Sequence, residues 1–378
     1  MTIDLMTKLG IETPIFAFSH CRDVVVEVSR AGGFGVLGAV MFPPDQLEQE
    51  LDWIDRHTDG KPYGIDFLIP ANYSKDAEES ELPLLDMVPA QHRDFVTKLL
   101  DDAGIPRLPD DQAAELKARI AKREKNLTPA GARELLKIAR KHPNIRMYVS
   151  ALGPMPTDLV DELHGEGIVV GALCGKPEHV KHHRAAGADV LIAQGGEAGG
   201  HTGTVPTFML VPQIVEAAAG DMAVLAAGGI NRGSQIAAAQ AMGAQGVWTG
   251  SIWLTTMESE LSEFEREAMF RARADDAVRR KVLSGKPVRM LRSKLSEAFE
   301  AEGAPAYLPA PLQGLLFLEA RARIDRAENV EYYTSPVGQV VGEMNEATTV
   351  RDVMYKLQLE YVEALEKLAA NPALQALQ

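Results

Sequence analysis

Short apolar runs alternate with helical patterns through the first two thirds of the chain. The apolar runs predict strands over residues 14–17, 34–38, 63–69, 145–150, 167–173, 188–193, 223–227 and 246–249. Between them, apolar residues at helical spacing predict helices over residues 23–30, 43–56, 129–140, 157–164, 177–186, 207–219 and 233–242. This alternation is typical of an α/β protein with parallel strands and crossover helices. Eight strands are enough to close a (β/α)8 TIM barrel, and a doubly wound sheet is the competing architecture.

Two segments interrupt the alternation. Residues 71–126 are highly charged and carry helical patterns near 91–103 and 111–125, so a helical insertion is predicted after the third strand. Thr128 and Pro129 then indicate the N-cap and first turn of the next barrel helix. The C-terminal segment carries helical patterns near 263–282, 307–323, 336–345 and 350–370. The predicted parts are therefore a barrel (1–70 and 127–259), a helical insertion (71–126) and a helical C-terminal extension (260–378) that frames one end of the barrel.

Composition excludes several classes of function. The chain has 378 residues, 46% of them hydrophobic, and a net charge of −14, which argues against electrostatic binding of nucleic acid or anionic membranes. No apolar run approaches the ~20 residues that span a bilayer, and the N-terminus lacks the pattern of a signal peptide. Cys21 and Cys174 are too few and too far apart for a disulfide framework. A cytoplasmic enzyme is the expectation.

A glycine-rich loop follows the sixth predicted strand. Residues 194–203 contain five glycines and a single titratable imidazole, His201, beside Thr202. Glycines let the backbone approach a flat or phosphorylated ligand, so the pattern predicts a cofactor platform that carries a base. The alternative is a flexible surface loop whose histidine is solvated.

Two further glycine clusters lie where strands end. Gly228 and Gly229 follow the seventh strand, and Gly250 and Ser251 follow the eighth. In a barrel, loops at these positions commonly bind phosphate through backbone N–H groups and a helix N-terminus, here the helix that begins near Gly233. The alternative is that the glycines serve only tight turns.

These motifs together resemble the nitronate monooxygenase family, formerly called 2-nitropropane dioxygenase. The resemblance rests on the Gly-Gly-Glu-Ala-Gly-Gly-His-Thr-Gly loop, on Ala-Ala-Gly-Gly-Ile after strand seven, and on Met-Gly-Ala-Gln-Gly-Val-Trp-Thr-Gly-Ser-Ile-Trp-Leu around strand eight. It covers residues 11–69 and 145–259. The family also contains FMN-dependent NAD(P)H:quinone reductases and an FMN-dependent enoyl-ACP reductase, so the motifs specify the flavin barrel better than the reaction.

The resemblance implies that FMN lies across the top of the barrel, with its phosphate on the glycine clusters after strands seven and eight. His201 matches the catalytic base of the family. The implied cofactor-binding residues are Ala17, Phe18, Asp66, Gln194, Gly199, Gly200, Gly228, Gly229, Thr249, Gly250 and Ser251. The chain departs from many relatives at Asp66, where they have asparagine, and from some at Leu173, where they have lysine.

The expected reaction is oxidation of alkyl nitronates or nitroalkanes with O₂ to a carbonyl compound and nitrite, with His201 as the base. The alternative in the same fold is an NAD(P)H-dependent FMN oxidoreductase acting on a quinone or an enoyl thioester, with NAD(P)H as co-substrate. A flavin-free phosphate-binding barrel would need a nucleophilic cysteine after Ser251. The last cysteine of the chain is Cys174, so this alternative lacks its nucleophile. A non-catalytic scaffold leaves His201 without a role. Partners are expected to be small molecules and O₂, with a homodimer as the candidate assembly.

Other candidate groups carry weaker signals. His179, His182 and His183 recur at helical spacing, which fits a solvated helix face better than a metal site, and no metal is expected. Cys174 is interpreted as a small packed residue near the barrel mouth rather than a reactive thiol. His20, at the end of the first strand, is assigned either to the substrate pocket or to a structural role.

Overall fold

A closed barrel of eight parallel strands forms the centre of the protein. The computed structural model describes residues 4–68, 87–126 and 129–372. The barrel strands are β1 (Ile15–Ser19), β2 (Phe34–Gly38), β3 (Tyr63–Phe67), β4 (Ile145–Ser150), β5 (Val169–Cys174), β6 (Val190–Gln194), β7 (Ala223–Ala227) and β8 (Gly246–Thr249). Each strand pairs with the next in chain order, and β8 pairs with β1. The predicted TIM barrel is therefore confirmed, because a doubly wound sheet would have open edges.

Helices surround the barrel and form the additional segments. They are α1 (Leu5–Leu9), α2 (Arg22–Arg30), α3 (Pro44–His57), α4 (Ala90–Asp102), α5 (Asp110–Asn126), α6 (Pro129–Ala139), α7 (Thr157–Gly165), α8 (Val180–Ala185), α9 (Thr207–Ala218), α10 (Gly233–Ala241), α11 (Glu263–Phe270), α12 (Lys294–Ala298), α13 (Leu312–Arg326) and α14 (Val350–Ala369). Over the described residues, none of them has the combination of length and apolar character needed to traverse a bilayer.

Side chains from alternate strand positions fill the barrel interior, as the two-residue period of a strand requires. The short helix α1, which the sequence patterns did not predict, closes the N-terminal end: Leu5 and Leu9 pack into the interior cluster. Its first turn is fixed by Asp4, whose carboxylate accepts from the Met6 and Thr7 N–H groups. With this end closed, the opening lies at the C-terminal ends of the strands.

The last helix of the chain completes the outer ring of the barrel. No long helix directly follows β8, and α14 instead packs against both α10 and α2. The contact is close enough to require glycine, because a Cβ added at Gly233 would lie 2.1 Å from the Tyr361 nitrogen. Gln358 also donates to the Ala31 carbonyl at 2.8 Å. The C-terminal segment therefore forms part of the outer ring of the barrel.

The two insertion helices, α4 and α5, pack against α13 of the extension. Arg323 of α13 is 8% exposed and donates to the Ile105 and Pro106 carbonyls and to Asp101, the last at 2.7 Å. Residues 71–86 of the predicted insertion, and the Thr128 cap, lie outside the described residues. The domain boundaries remain predictions, but insertion and extension share a packed interface.

The predictions of two helices in the extension are partly wrong. The helix predicted over 263–282 ends at Phe270, and a strand β9 (Ala277–Arg280) pairs antiparallel with β10 (Val288–Leu291). The helix predicted over 336–345 is only a 3₁₀ turn at Gln339–Glu343, because the preceding backbone groups bond to distant parts of the chain. The remaining difference is small: α13 begins at Leu312 rather than 307, after Pro309 and Pro311, which disfavour a helix interior.

Replacing Arg323 with methionine should lower the free energy of unfolding by about 2–3 kcal/mol, because buried carbonyls lose their donor. Urea unfolding followed by tryptophan fluorescence measures the loss. Arg326→Met is the matched control, since Arg326 is exposed and makes only a 3.4 Å contact to the Arg107 carbonyl; its effect should stay within about 0.5 kcal/mol. Equal effects of the two substitutions would contradict the assignment of Arg323 as the link between insertion and extension.

Candidate active site

Inward-facing side chains at the C-terminal ends of the strands form the mouth of the barrel. Phe18 stacks on Trp248 with ring centroids 6.1 Å apart, and Leu173 packs in the same interior cluster. The strand register places Asp66 beside Gly38, and Gln194 beside Ala227. The mouth therefore combines an apolar shelf with one carboxyl and one amide group.

Of the residues predicted for the first strand, only Phe18 presents its side chain to the mouth. The Ala17 side chain is fully buried in the cluster between the barrel and its helices, so Ala17 can offer only its backbone. Phe18 also makes an edge contact with the His20 ring, at 5.1 Å between centroids. His20 in turn lies 3.0 Å through Nδ1 from the Gly38 carbonyl, so it is part of the mouth.

The loops after β7 and β8 leave a group of backbone donors unused. The N–H groups of Gly228, Gly229, Gly250 and Ser251 have no hydrogen-bond acceptor among the described residues. The Ser251 Oγ accepts from the Gly338 N–H at 2.8 Å, which leaves its own hydroxyl hydrogen free to donate. Free donors on the loops that follow two neighbouring strands suit a phosphate group.

The glycine pair after β7 also has a local structural reason. Gly228 and Gly229 have φ of 108° and 70°, in the left-handed region that glycine tolerates. A Cβ at Gly228 would also lie 2.7 Å from the Thr207 Oγ1. Backbone geometry by itself therefore calls for glycine here, whether or not a ligand approaches.

Two groups near the predicted phosphate site already have protein partners. At the start of α10, the Gly233 N–H donates to Glu360 at 2.9 Å and the Arg232 N–H donates to the Gln235 Oε1 at 3.0 Å. These two N–H groups are therefore engaged within the protein, and binding of an anion by this helix N-terminus stays a prediction. The Thr249 hydroxyl is also engaged, donating to the Phe16 carbonyl at 2.9 Å, so only the Thr249 backbone can face a ligand.

The glycine-rich loop after β6 is held by the extension. Gly200 pairs with Arg289 of β10 through two backbone hydrogen bonds, of 3.0 and 2.8 Å. The Arg289 guanidinium donates to the Gly196 carbonyl at 2.6 Å, and the Glu197 carbonyl accepts from the Gln339 N–H at 3.0 Å. The loop is thus a fixed wall of the site rather than a free surface segment.

His201 lies against the turn between β9 and β10. Its Nδ1 is 3.2 Å from the Pro287 carbonyl, which can only accept, so Nδ1 carries the proton of the neutral ring. Nε2 therefore has the lone pair, and the Ser284 Oγ is 3.4 Å from it. Loss of hydration lowers the pKa of His201 below its ordinary value, although the residue as a whole is exposed. This shift favours the neutral imidazole, with its lone pair at Nε2.

Sequence reasoning missed the contribution of the hairpin formed by β9 and β10. Residues 277–291 carry five cationic side chains and no acidic one: Arg279, Arg280, Lys281, Lys286 and Arg289. Arg279 donates to the Thr202 carbonyl at 2.8 Å, which places this charge beside His201. The sequence signal that could have revealed the hairpin is the alternation of Val288 and Met290 after the Ser284–Gly285 turn.

The three remaining candidate groups take structural positions. The thiols of Cys21 and Cys174 are buried, and burial raises the pKa of each to about 11, so both are packed residues. The prediction of a solvated face for the histidines of α8 needs correction at His183. That ring is 2% exposed and faces the barrel, and burial lowers its pKa to about 4.

The geometry as a whole is that of a barrel mouth with an apolar shelf, free backbone N–H groups on two neighbouring loops, and a histidine on the adjoining wall. The model of the nitronate monooxygenase family matches residues 3–360. The chain belongs to the nitronate monooxygenase family. It is an oxidoreductase of this flavin-dependent group.

Similar proteins agree with this placement. A Mycobacterium tuberculosis chain named "Putative monooxygenase Rv1533" is 44% identical over 95% of this chain and 96% of its own length. A Staphylococcus haemolyticus chain named "Probable nitronate monooxygenase" is 27% identical over 78% of this chain and 80% of its own.

Solved structures show the same fold. Nitroalkane oxidase from Streptomyces ansochromogenes superposes with a TM-score of 0.76, at 24% identity over 97% of this chain and 100% of that one. FabK from Thermotoga maritima superposes with a TM-score of 0.69, at 25% identity over 98% of this chain and 99% of that one. Both superpositions extend over the insertion and extension as well as the barrel.

Replacing Gly199 with alanine should separate the glycine loop from the extension. The added Cβ would lie 2.8 Å from the Val337 carbonyl carbon and 2.9 Å from the Gly338 nitrogen, and backbone atoms cannot move aside cheaply. We expect a loss of about 1–3 kcal/mol in thermal unfolding and faster amide exchange at Gly338. Gly165→Ala is the control, because a Cβ there meets no atom within 4 Å. Unchanged exchange at Gly338 would contradict the contact.

Proposed function

We propose that the protein is an FMN-dependent nitronate monooxygenase that converts alkyl nitronates or nitroalkanes and O₂ to a carbonyl compound and nitrite. The observation that carries the proposal is the state of His201. Its Nδ1 is tied to the Pro287 carbonyl, which leaves a neutral ring with an unprotonated Nε2 on the glycine loop of a flavin-type barrel. Membership of the nitronate monooxygenase family supports the same assignment.

The residues of the mouth fit FMN. The free N–H groups of Gly228, Gly229, Gly250 and Ser251 would hold its phosphate, with the Ser251 hydroxyl as a further donor. Its ring would rest on the shelf around Phe18 with Gln194 and Asp66 at its polar edges. Gly199 and Gly200 would bring their backbone close to it, and Ala17 and Thr249 would contribute backbone atoms. A single phosphate cradle suits a mononucleotide better than a dinucleotide.

FMN, when bound, supplies the redox chemistry, accepting electrons from the substrate and delivering them to O₂. The protein supplies the proton chemistry and the orientation. His201 removes the proton on the carbon next to the nitro group, and a carbon acid of pKa roughly 7 to 10 is within reach of an imidazole base. The hairpin cations Arg279 and Arg289 stabilise the anion that this step produces, because they lie on the same wall of the site.

A second candidate is an NAD(P)H-dependent FMN oxidoreductase that reduces a quinone or an enoyl thioester. The five cations of residues 277–291 favour it, since in a chain of net charge −14 they would attract the phosphate groups of NAD(P)H. The structural similarity to FabK also supports this candidate. In that reaction His201 would donate a proton to the substrate carbonyl. A homodimer and a cytoplasmic location remain predictions.

The purified protein should release FMN on heating, and it should bind FMN far more tightly than riboflavin. Riboflavin lacks the phosphate, so the donors of the cradle would stay unpaired and affinity should fall by roughly 100-fold or more. Fluorescence titration measures both ligands on the same protein. Equal affinity for the two flavins would contradict the phosphate site, and a protein that takes up neither flavin would refute the cofactor.

Replacing His201 with asparagine should retain FMN and slow turnover of neutral nitroalkane by roughly 10² to 10⁴, the usual contribution of a positioned general base. Turnover of preformed nitronate should fall much less, because its proton has already left. In the wild type, the rate with the neutral substrate should rise with pH, with its midpoint below the ordinary imidazole pKa of about 6.5, since loss of hydration lowers the pKa of His201. This acid limb should vanish in the variant.

The control for this experiment is His179→Asn, on the exposed face next to α8, which should leave every rate unchanged. NAD(P)H oxidation with a quinone or enoyl acceptor, without nitronate turnover, would favour the second candidate instead. Equal rates for wild type and His201→Asn on all substrates would remove the catalytic assignment.

A further inference from the structure

Asp66 stands out among the acidic side chains of the barrel. It is the fourth residue of β3, and the alternation along that strand directs it inward at the mouth, beside Gly38 on one side and Val149 on the other. It is only 6% exposed. A carboxyl group at this position is in a largely apolar layer that opens toward the space where the cofactor ring is proposed to lie.

The carboxyl group has no hydrogen-bond or ion-pair partner among the described residues. By contrast, the half-buried Asp189 of the barrel accepts from the Val170 N–H at 2.8 Å. A buried polar group without a partner is costly unless a ligand or water completes it. Asp66 therefore points to a group that the protein itself does not supply.

The charges around Asp66 favour its neutral form. Burial alone raises the pKa of Asp66 well above its ordinary value, and no cation compensates. Strand β2 contributes no titratable side chain, and β4 presents Val149 inward and Tyr148 outward. The titratable group that β1 brings to this side is His20, whose Nδ1 is engaged with the Gly38 carbonyl.

We propose that Asp66 acts as a neutral carboxylic acid that donates its O–H to a carbonyl oxygen or unprotonated nitrogen of the bound flavin ring. This inference rests on the proposed FMN cofactor. An ionised carboxylate could only accept hydrogen bonds and would repel such an atom, whereas the neutral acid both donates and accepts. Asp66 is thus a positioning residue for the ring.

Infrared difference spectra of the FMN-loaded wild type and Asp66→Asn test the protonation state directly. At pH 7 the wild type should show a carboxylic acid C=O band that is missing in the variant and shifts slightly in D₂O. Asp55→Asn, at the N-terminal end of the barrel beside Tyr63, is the matched control and should leave that band in place. A spectrum with only carboxylate bands from Asp66 would overturn the proposal.

Release of FMN on dilution, followed by its returning fluorescence, tests the donated hydrogen bond. Asp66→Asn keeps a neutral donor and should hold FMN within roughly threefold of the wild type at pH 7, whereas Asp66→Leu should release it roughly tenfold more readily. As pH rises through the pKa of Asp66, the acid band should fade and the wild type should lose affinity relative to Asp66→Asn, because the donor is lost and a charge appears. Asp66→Leu binding as tightly as Asp66→Asn, or a band that fades without loss of affinity, would overturn the role.

These readouts are separate from turnover. A protein that binds FMN, shows the acid band and yet oxidises no nitronate would refute the proposed reaction and support the role of Asp66. A protein that oxidises nitronate through bound FMN but lacks the acid band would refute only the role of Asp66.

Discussion

The two backbone hydrogen bonds between Gly200 and Arg289 connect the barrel to the chain that follows it. A loop with five glycines in ten residues cannot fix its own conformation, because it has few side chains to pack and its peptide groups need partners. Strand β10 supplies those partners, and the guanidinium of Arg289 adds another at the Gly196 carbonyl. The hairpin that holds the loop also provides Pro287 and Ser284, which set the tautomer and surroundings of His201. His201 and the hairpin residues that contact it therefore lie more than 80 residues apart in the chain.

The charge around the candidate site is opposite in sign to the net charge of the chain. The protein carries a net charge of −14, yet the hairpin beside His201 has only cations, and the acid at the mouth, Asp66, is favoured in its neutral form by burial. Loss of hydration lowers the pKa of Arg289 from its ordinary value, and the neighbouring Arg279 lowers it further. A bound anion would therefore stabilise the charged form of the Arg289 guanidinium. A neutral base next to fixed cations is suited to producing or accepting an anionic substrate, which both candidate reactions require.

The insertion and the extension are packed together with the barrel. The insertion helices pack on α13, α14 takes the eighth place in the outer ring, and the stretch around Gly338 contacts both Ser251 and Gly199. Barrel, insertion and extension thus share buried surface, and the loops that would hold the cofactor are held from outside the barrel.

The sequence by itself determined the barrel. Strands β2, β4, β7 and β8 were predicted with their observed bounds, because the two-residue and 3.6-residue periods and the glycine stops are local signals. Local chemistry also identified the glycine loop, its single imidazole His201, and the glycine pair after β7. Tertiary structure decided the rest. Residues 277–280 form a strand because they pair with β10, which is in turn bonded to Gly200, more than 80 residues earlier in the chain. The long-range bond between Gly200 and Arg289 leaves no periodic trace in either segment. In the same way, the capping of α10 by Glu360, the burial of His183 and the isolation of Asp66 depend on which distant groups the closed barrel brings together.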